Sequence, residues 1–357
     1  MEQHSDWNTI LQLLPQPAFR VENGVISQVN LAAAAYLIEA GQPFAPMILS
    51  GQQEYAEFTG GTLYLTLSLA DQVLGACVSC MENGHIVTLE QASEMPQLQA
   101  MALAAKELRE PLNGMLSLAE QMLPAVAKEG STLETQASQM NRRLYQMLRI
   151  VSNMSDAISY SQAQTGQTES MELCALVEEI LDKACAYAQN IGIMLTYELP
   201  PVPIFTQGDR EKLERAIYNL LSNAIKFATP GTPVQVKLTV KNKRAYLSVS
   251  NSHGGSPLQG NIYNRFLRQL SLEDPRNGVG LGMVLVRSTA TLHGGAVLLE
   301  QTEDDIRITM TLQIKSKPSD QVRSPIMRFD YAGERDHCLL ELADVLPAQL
   351  YSPDQIK

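Results

Sequence analysis

The chain has 357 residues, 45% of them hydrophobic and 18% charged, with a formal net charge of -11. That length exceeds one ordinary core, so two or three domains are expected, and an acidic balance without a dense Lys/Arg block argues against nucleic acid or an anionic membrane as the main partner. No apolar run approaches the ~20 residues needed to cross a bilayer and no signal-like segment opens the chain, which predicts a cytoplasmic protein without a membrane span.

Residues 1–92 read as a small α+β unit. FRVENGVISQVN predicts a hairpin turning at Asn23-Gly24, LAAAAYLIEA a short helix, and alternating runs at Tyr55–Thr59, Thr62–Leu69, Val73–Cys80 and Ile86–Leu89 predict strands. This order, with Asn30 opening the helix, resembles a PAS domain, which implies a sensor unit. Cys77 and Cys80 lie three apart on a predicted strand and so face opposite sides; with no second pair, they read as small core residues rather than metal ligands. The five cysteines, Cys77, Cys80, Cys174, Cys185 and Cys338, form no disulfide framework in a chain of this length.

Residues 93–166 carry two heptad series. Leu98, Met101, Ala105, Leu108, Leu112, Met115, Ala119 and Met122 form the first, and Leu133, Ala137, Met140, Leu144, Met147, Val151, Met154 and Ile158 the second, with a turn at 124–131. Such seams predict an antiparallel helical hairpin, and two hairpins together would form a four-helix bundle, hence a homodimer. The other reading is a pair of helices packed on the chain's own globular part.

Residues 167–314 alternate between helix and strand. MELCALVEEILDKACAYAQN, DREKLERAIYNLLSNAIKFA and LGMVLVRSTATLHGG predict helices, while IMLTYEL, PVQVKLTV, AYLSVSN, AVLLEQ and IRITMTLQI predict strands, the third and second of these joined as a hairpin at Lys241–Arg244. A tail over 315–357 holds a short apolar stretch, HCLLELADVL, that reads as a docking helix.

Two stretches of residues 167–314 carry chemistry. Asn219, Asn223 and Lys226 fall on one face of an amphipathic helix, where a carboxamide oxygen can complete a Mg²⁺ shell and a Lys offsets phosphate charge. Asn277-Gly-Val-Gly-Leu-Gly282 opens a helix, and Gly278, Gly280 and Gly282 let backbone N–H groups approach an anion. In this order the pieces resemble the ATP-binding domain of histidine kinases, in the family shared with gyrase and heat-shock chaperone ATPases. NLLSNAIKF matches the N box, NRFLR at 264–268 the F box, and GVGLGMVLVRSTATLHGG the second glycine box.

The resemblance implies ATP and Mg²⁺ as cofactors, Asn223 as Mg²⁺ ligand, Asn219 and Lys226 near the phosphates, and a lid at about 267–277. Asn251-Ser-His-Gly-Gly255 stands where the family has DxGxG, so Asn251 would accept the adenine bond without a charge, beside Gly255. Arg215 occupies a position where many members have Glu or Gln.

KELREPLNG aligns with the family's HELRTPLNG and places Lys106 at the phosphoacceptor position, with Glu107 next to it at this catalytic position. A neutral imidazole has a lone pair at pH 7, whereas a Lys with a pKa of about 10.4 is almost entirely ammonium. Glu107 and Glu110 favour that cation. The expected protein is therefore a histidine-kinase-like signalling protein of multidomain α+β fold: a PAS-like domain, a dimerisation hairpin and an α/β-sandwich ATP-binding domain of the histidine kinase/gyrase type. It would bind Mg·ATP, lack autophosphorylation at the usual site, and regulate a response-regulator receiver domain or another kinase by binding. Two other readings stay open: an active kinase phosphorylating a His or Ser/Thr on another chain, and a dimeric scaffold with a vestigial nucleotide site.

Overall fold

The structure, a computed structural model, describes residues 11–70, 72–81, 83–89, 108, 112–117, 119, 131–161, 169–253, 281–302, 304–315, 332 and 335–352. A hairpin of β1 (Ala18–Glu22) and β2 (Val25–Val29) turns on Asn23 and Gly24, both at positive φ, as an Asn-Gly pair favours. Asn30 then caps α1 (Leu31–Ala34); its buried carboxamide also accepts from the Ala18 N–H and donates to the Gln16 carbonyl, which ties the helix start to the strand before it.

β3 (Ile48–Ser50), α2 (Gln52–Ala56), β4 (Thr62–Leu69), β5 (Gln72–Met81) and β6 (Gly84–Leu89) follow. The strand expected at Tyr55–Thr59 is not formed. Gly51, at φ 94, turns the chain into α2, and the helical turn lets Tyr55 pack edge-on against Phe44 at 5.0 Å while Glu54 is buried.

Next come α3 (Ser131–Ser161), β7 (Glu169–Glu172), α4 (Leu173–Gln189), β8 (Leu195–Glu198), β9 (Phe205–Gly208) and α5 (Arg210–Phe227). β10 (Val234–Lys241) and β11 (Arg244–Ser252) form a hairpin whose turn residues Asn242 and Lys243 both have positive φ. α6 (Leu281–Leu292), β12 (Val297–Gln301), β13 (Asp305–Gln313) and α7 (His337–Glu341) complete the order, before a 3₁₀ turn at Ala348–Tyr351. No helix among the described residues is long and apolar enough to cross a membrane.

Among the described residues one sheet runs β2-β1-β6-β5-β4-β12-β13-β11-β10-β8, with β3 beside β4, and β7 pairs separately with β9. The N-terminal strands thus continue directly into the C-terminal ones. The join is the antiparallel β4–β12 ladder, with Tyr64 opposite Val297 and Leu63 opposite Leu298. α6 lies across it: the hydroxyls of Thr66 and Thr291 are 2.8 Å apart, and the Arg287 guanidinium sits 5.6 Å from the Tyr64 ring centroid.

Side-chain alternation builds the cores. Val234, Val236 and Leu238 of β10 point into the same core as Leu213, Ile217, Leu220 and Leu221 of α5, so period 2 meets period 3.6 at one apolar layer. Cys77 and Cys80 do face different cores, the first on the helical side and the second toward the N-terminal strands.

The heptads of α3 divide. Val151 packs with Leu112 and Ala137 with Ala119, while Leu133, Met140 and Met147 remain 37%, 48% and 46% exposed. A face that the heptads did not single out is buried instead: Tyr145 and Leu148, with Leu116 of the preceding helical residues, join the core of α4 and α5. Leu98, Met101, Ala105, Met122 and the turn at 124–130 lie outside the described residues.

Candidate functional site

α5 begins on Asp209, whose carboxylate accepts from the Lys212 N–H, and carries Asn219, Asn223 and Lys226 along its length. These three differ in setting. Asn223 and Lys226 are half-buried, whereas Asn219 is 2% exposed. Its amide donates to the Arg215 carbonyl at 2.8 Å, and its side-chain oxygen accepts from Arg149 Nη2 of α3 at 3.2 Å.

Gly282, in the first turn of α6, presses on the same side chain. A Cβ at this position would lie 2.7 Å from Asn219 Oδ1, so the close approach of α6 to α5 depends on glycine. Asn251 is buried at the end of β11, the strand beneath α5, and donates to the Ser252 carbonyl at 3.3 Å. Thr229, just past α5, closes onto that carbonyl through both its N–H and its hydroxyl. Tertiary structure therefore brings Asn219 and Gly282 into contact and sets Asn223 and Asn251 on neighbouring elements. Lys106, Glu107, Gly255, Gly278, Gly280 and the 264–268 stretch lie outside the described residues.

Of the residues that the resemblance assigns to a nucleotide with Mg²⁺, Asn223 offers a half-buried carboxamide one turn after Asn219, a group whose oxygen suits a Mg²⁺ shell.

Sequence reasoning missed a charged cluster behind this site. Glu341 of α7, fully buried, accepts from Arg215 Nε at 2.9 Å and from Arg149 Nε at 3.4 Å. Arg215 also donates to Asn153 of α3 at 2.7 Å, and Arg149 to the Asp344 carboxylate. Arg215, at the position that departs from the family pattern, is thus committed to a structural contact. Two neighbouring groups are kept neutral: burial pushes the Cys338 thiol and the Tyr218 hydroxyl far up from their ordinary values. The two acidic residues within the apolar HCLLELADVL, Glu341 and Asp344, were the available signal for this cluster.

Residues 208–317 match the family of histidine kinase-, DNA gyrase B-, and HSP90-like ATPases. The chain is 28% identical over 245 residues to the alginate biosynthesis sensor protein KinB of Pseudomonas aeruginosa, covering 64% of this chain and 39% of KinB. It is 32% identical over 202 residues to the sensor histidine kinase TmoS of Ectopseudomonas mendocina, covering 55% of this chain and 21% of TmoS. It therefore spans only a minor part of the length of these relatives. Among solved structures, full-length ShkA in complex with AMPPNP resembles it with a TM-score of 0.50 at 18% identity, over 62% of this chain and 47% of ShkA.

Proposed function

We propose, for a chain that belongs to the two-component histidine kinase family, that it binds ATP with Mg²⁺ beside α5 and α6 and regulates a partner by binding, without phosphorylating itself at the usual position. The observation that carries this is the combination of a glycine-dependent contact between the two nucleotide-site helices and Lys106 at the acceptor position. Asn223 would be the Mg²⁺ ligand, with Lys226 offsetting phosphate charge and Asn251 accepting from the base. When bound, Mg²⁺ would offset charge on the phosphates. Residues 1–92 serve as a PAS-like input unit, 93–166 as the dimerisation hairpin and 167–314 as the ATP-binding domain. The partner is a response-regulator receiver domain, whose acidic site suits Lys106.

The test uses γ-labelled ATP and Mg²⁺ on the wild type, Asn223→Ala and Lys106→His. The expected result is no label on the wild type and Asn223-dependent nucleotide binding. Label should appear on Lys106→His, because an imidazole restores a lone pair at neutral pH. Asn223-dependent labelling of the wild type would instead establish a working kinase with another acceptor, and no binding by any variant would leave a scaffold.

A second copy is the proposed cover for the exposed stripe of Leu133, Met140, Met147 and Ile150 on α3 with Met115 of the preceding helical residues. Met140→Glu/Met147→Glu is expected to convert a dimer to a monomer in light scattering, since two carboxylates would have to be desolvated in each half of the interface. A wild type that runs as a monomer would remove this part of the proposal.

A further inference from the structure

The segment from 335 to 352 supplies none of the residues assigned to the nucleotide, yet it fills the crevice between α3, α4 and α5. Cys338, Leu340, Leu342, Ala343, Leu346 and Tyr351 are all 0% exposed. α3 grips its backbone: Asn141 donates to the Tyr351 carbonyl, Arg142 to those of Ala343 and Asp344, and Gln146 to that of Ala343, each at 3.1 Å. On the side of α5, His337 Nδ1 and Glu214 Oε1 are 3.0 Å apart, and Glu341 receives Arg215.

This segment also sets the state of Asn219. The Asn219 oxygen is held by Arg149, and Arg149 is aimed there by Glu341 and Asp344, both from the segment. No ladder hydrogen bond ties the described part of the segment to the sheet. Its polar anchors are side-chain bonds and a buried cluster of two guanidiniums and two carboxylates. Such a cluster adds little net stability compared with apolar packing, yet it falls apart as a unit once one partner leaves.

We infer that residues 335–352 form a releasable strap, which holds α5 against α3 and keeps Asn219 turned to Arg149, so that Mg·ATP binding and strap release favour each other. The inference rests on the nucleotide reading above. Reciprocity follows from linkage: if the docked strap withholds Asn219 from nucleotide, then bound nucleotide must weaken the strap by the same factor.

Cys338 supplies the readout. In the docked strap its thiol is inaccessible, so alkylation by N-ethylmaleimide, followed on the Cys338 peptide by mass spectrometry, reports opening in the full chain. Cys77, 6% exposed in the sheet core, reports global unfolding in the same sample. Saturating Mg·ATP is expected to speed Cys338 labelling by roughly tenfold, a ratio within the ordinary range of coupling between sites, in the wild type but not in Asn223→Ala. Glu341→Gln is expected to label faster without nucleotide and to bind a fluorescent ATP analogue more tightly, with Cys77 unchanged in both cases.

Asn223-dependent ATP binding with unchanged or slower Cys338 labelling overturns the strap and leaves the nucleotide reading standing. Parallel labelling of Cys77 and Cys338 also overturns it, since the segment would then open only with the whole fold. No nucleotide binding by either wild type or Glu341→Gln removes the nucleotide reading and the strap together.

Discussion

Gly295→Ala is expected to destabilise the fold by ~4 kcal/mol or more, placing it among the most damaging single substitutions. A Cβ at this position would lie 1.8 Å from the Thr311 carbonyl oxygen of β13, a backbone atom that cannot step aside. The glycine sits in the turn between α6 and β12 and bonds in both directions. Its N–H donates to the Ala290 carbonyl at 2.8 Å, and its carbonyl accepts from the Ser50 hydroxyl at 2.7 Å. Gly294 beside it accepts from Arg244. Displacing this turn therefore disturbs α6, the start of β12 and the contact with the N-terminal strands at once. Urea denaturation followed by circular dichroism measures the effect; a loss below about 1 kcal/mol would mean that the turn has room the structure does not show.

The second large effect lies at the same join. Glu54 of α2, with its side chain 5% exposed, accepts from the Thr311 hydroxyl at 2.7 Å and pairs with Arg244 Nε at 3.2 Å. Arg244 also donates to Gln53, and Glu57 receives Lys241 and Asn242 at the surface nearby. Glu54→Ala should cost about 3 kcal/mol, because it leaves a largely buried guanidinium without its counter-charge. The surface contacts of Glu57 should matter far less, since solvent screens them. Glu54→Leu combined with Arg244→Met is expected to recover most of the loss, since an apolar pair of similar volume avoids desolvating two ions. A double-mutant cycle in the same assay decides the matter: additive single effects would show that Glu54 and Arg244 do not act as a pair.

Both predictions concern a junction that no single stretch of sequence announces. The alternation of Thr62–Leu69 marks a strand with a buried face, and AVLLEQ marks another, yet neither run carries a sign that the two pair with each other. The tail illustrates the same limit. HCLLELADVL reads as an apolar helix that docks somewhere, but only the folded chain shows that Glu341 lands between two arginines from different helices.

Local rules, on the other hand, carried a good deal. The Asn23-Gly24 turn, the β10–β11 hairpin, the amphipathic α5 and the helix opened at Gly282 all follow from periodicity and turn chemistry. The resemblance implied that Asn219 lies near the phosphates, but the contact between Asn219 and Gly282 is visible only in the folded chain. Tyr55–Thr59 failed because a single glycine at positive φ and the packing of one aromatic ring overrode a five-residue alternation.

By itself, then, the sequence determined where most of the longer helices and strands run, which face of several of them is apolar, and which residue types stand at the nucleotide and acceptor positions. Those properties depend on neighbours within a turn or two. Tertiary structure alone decided that β4 joins β12, that Asn219 is buried under Arg149, and that Arg215 answers a carboxylate from the C-terminal segment. The reason is physical. Strand edges and buried charges are satisfied by partners far along the chain, and the energy of burying them exists only once every partner has arrived.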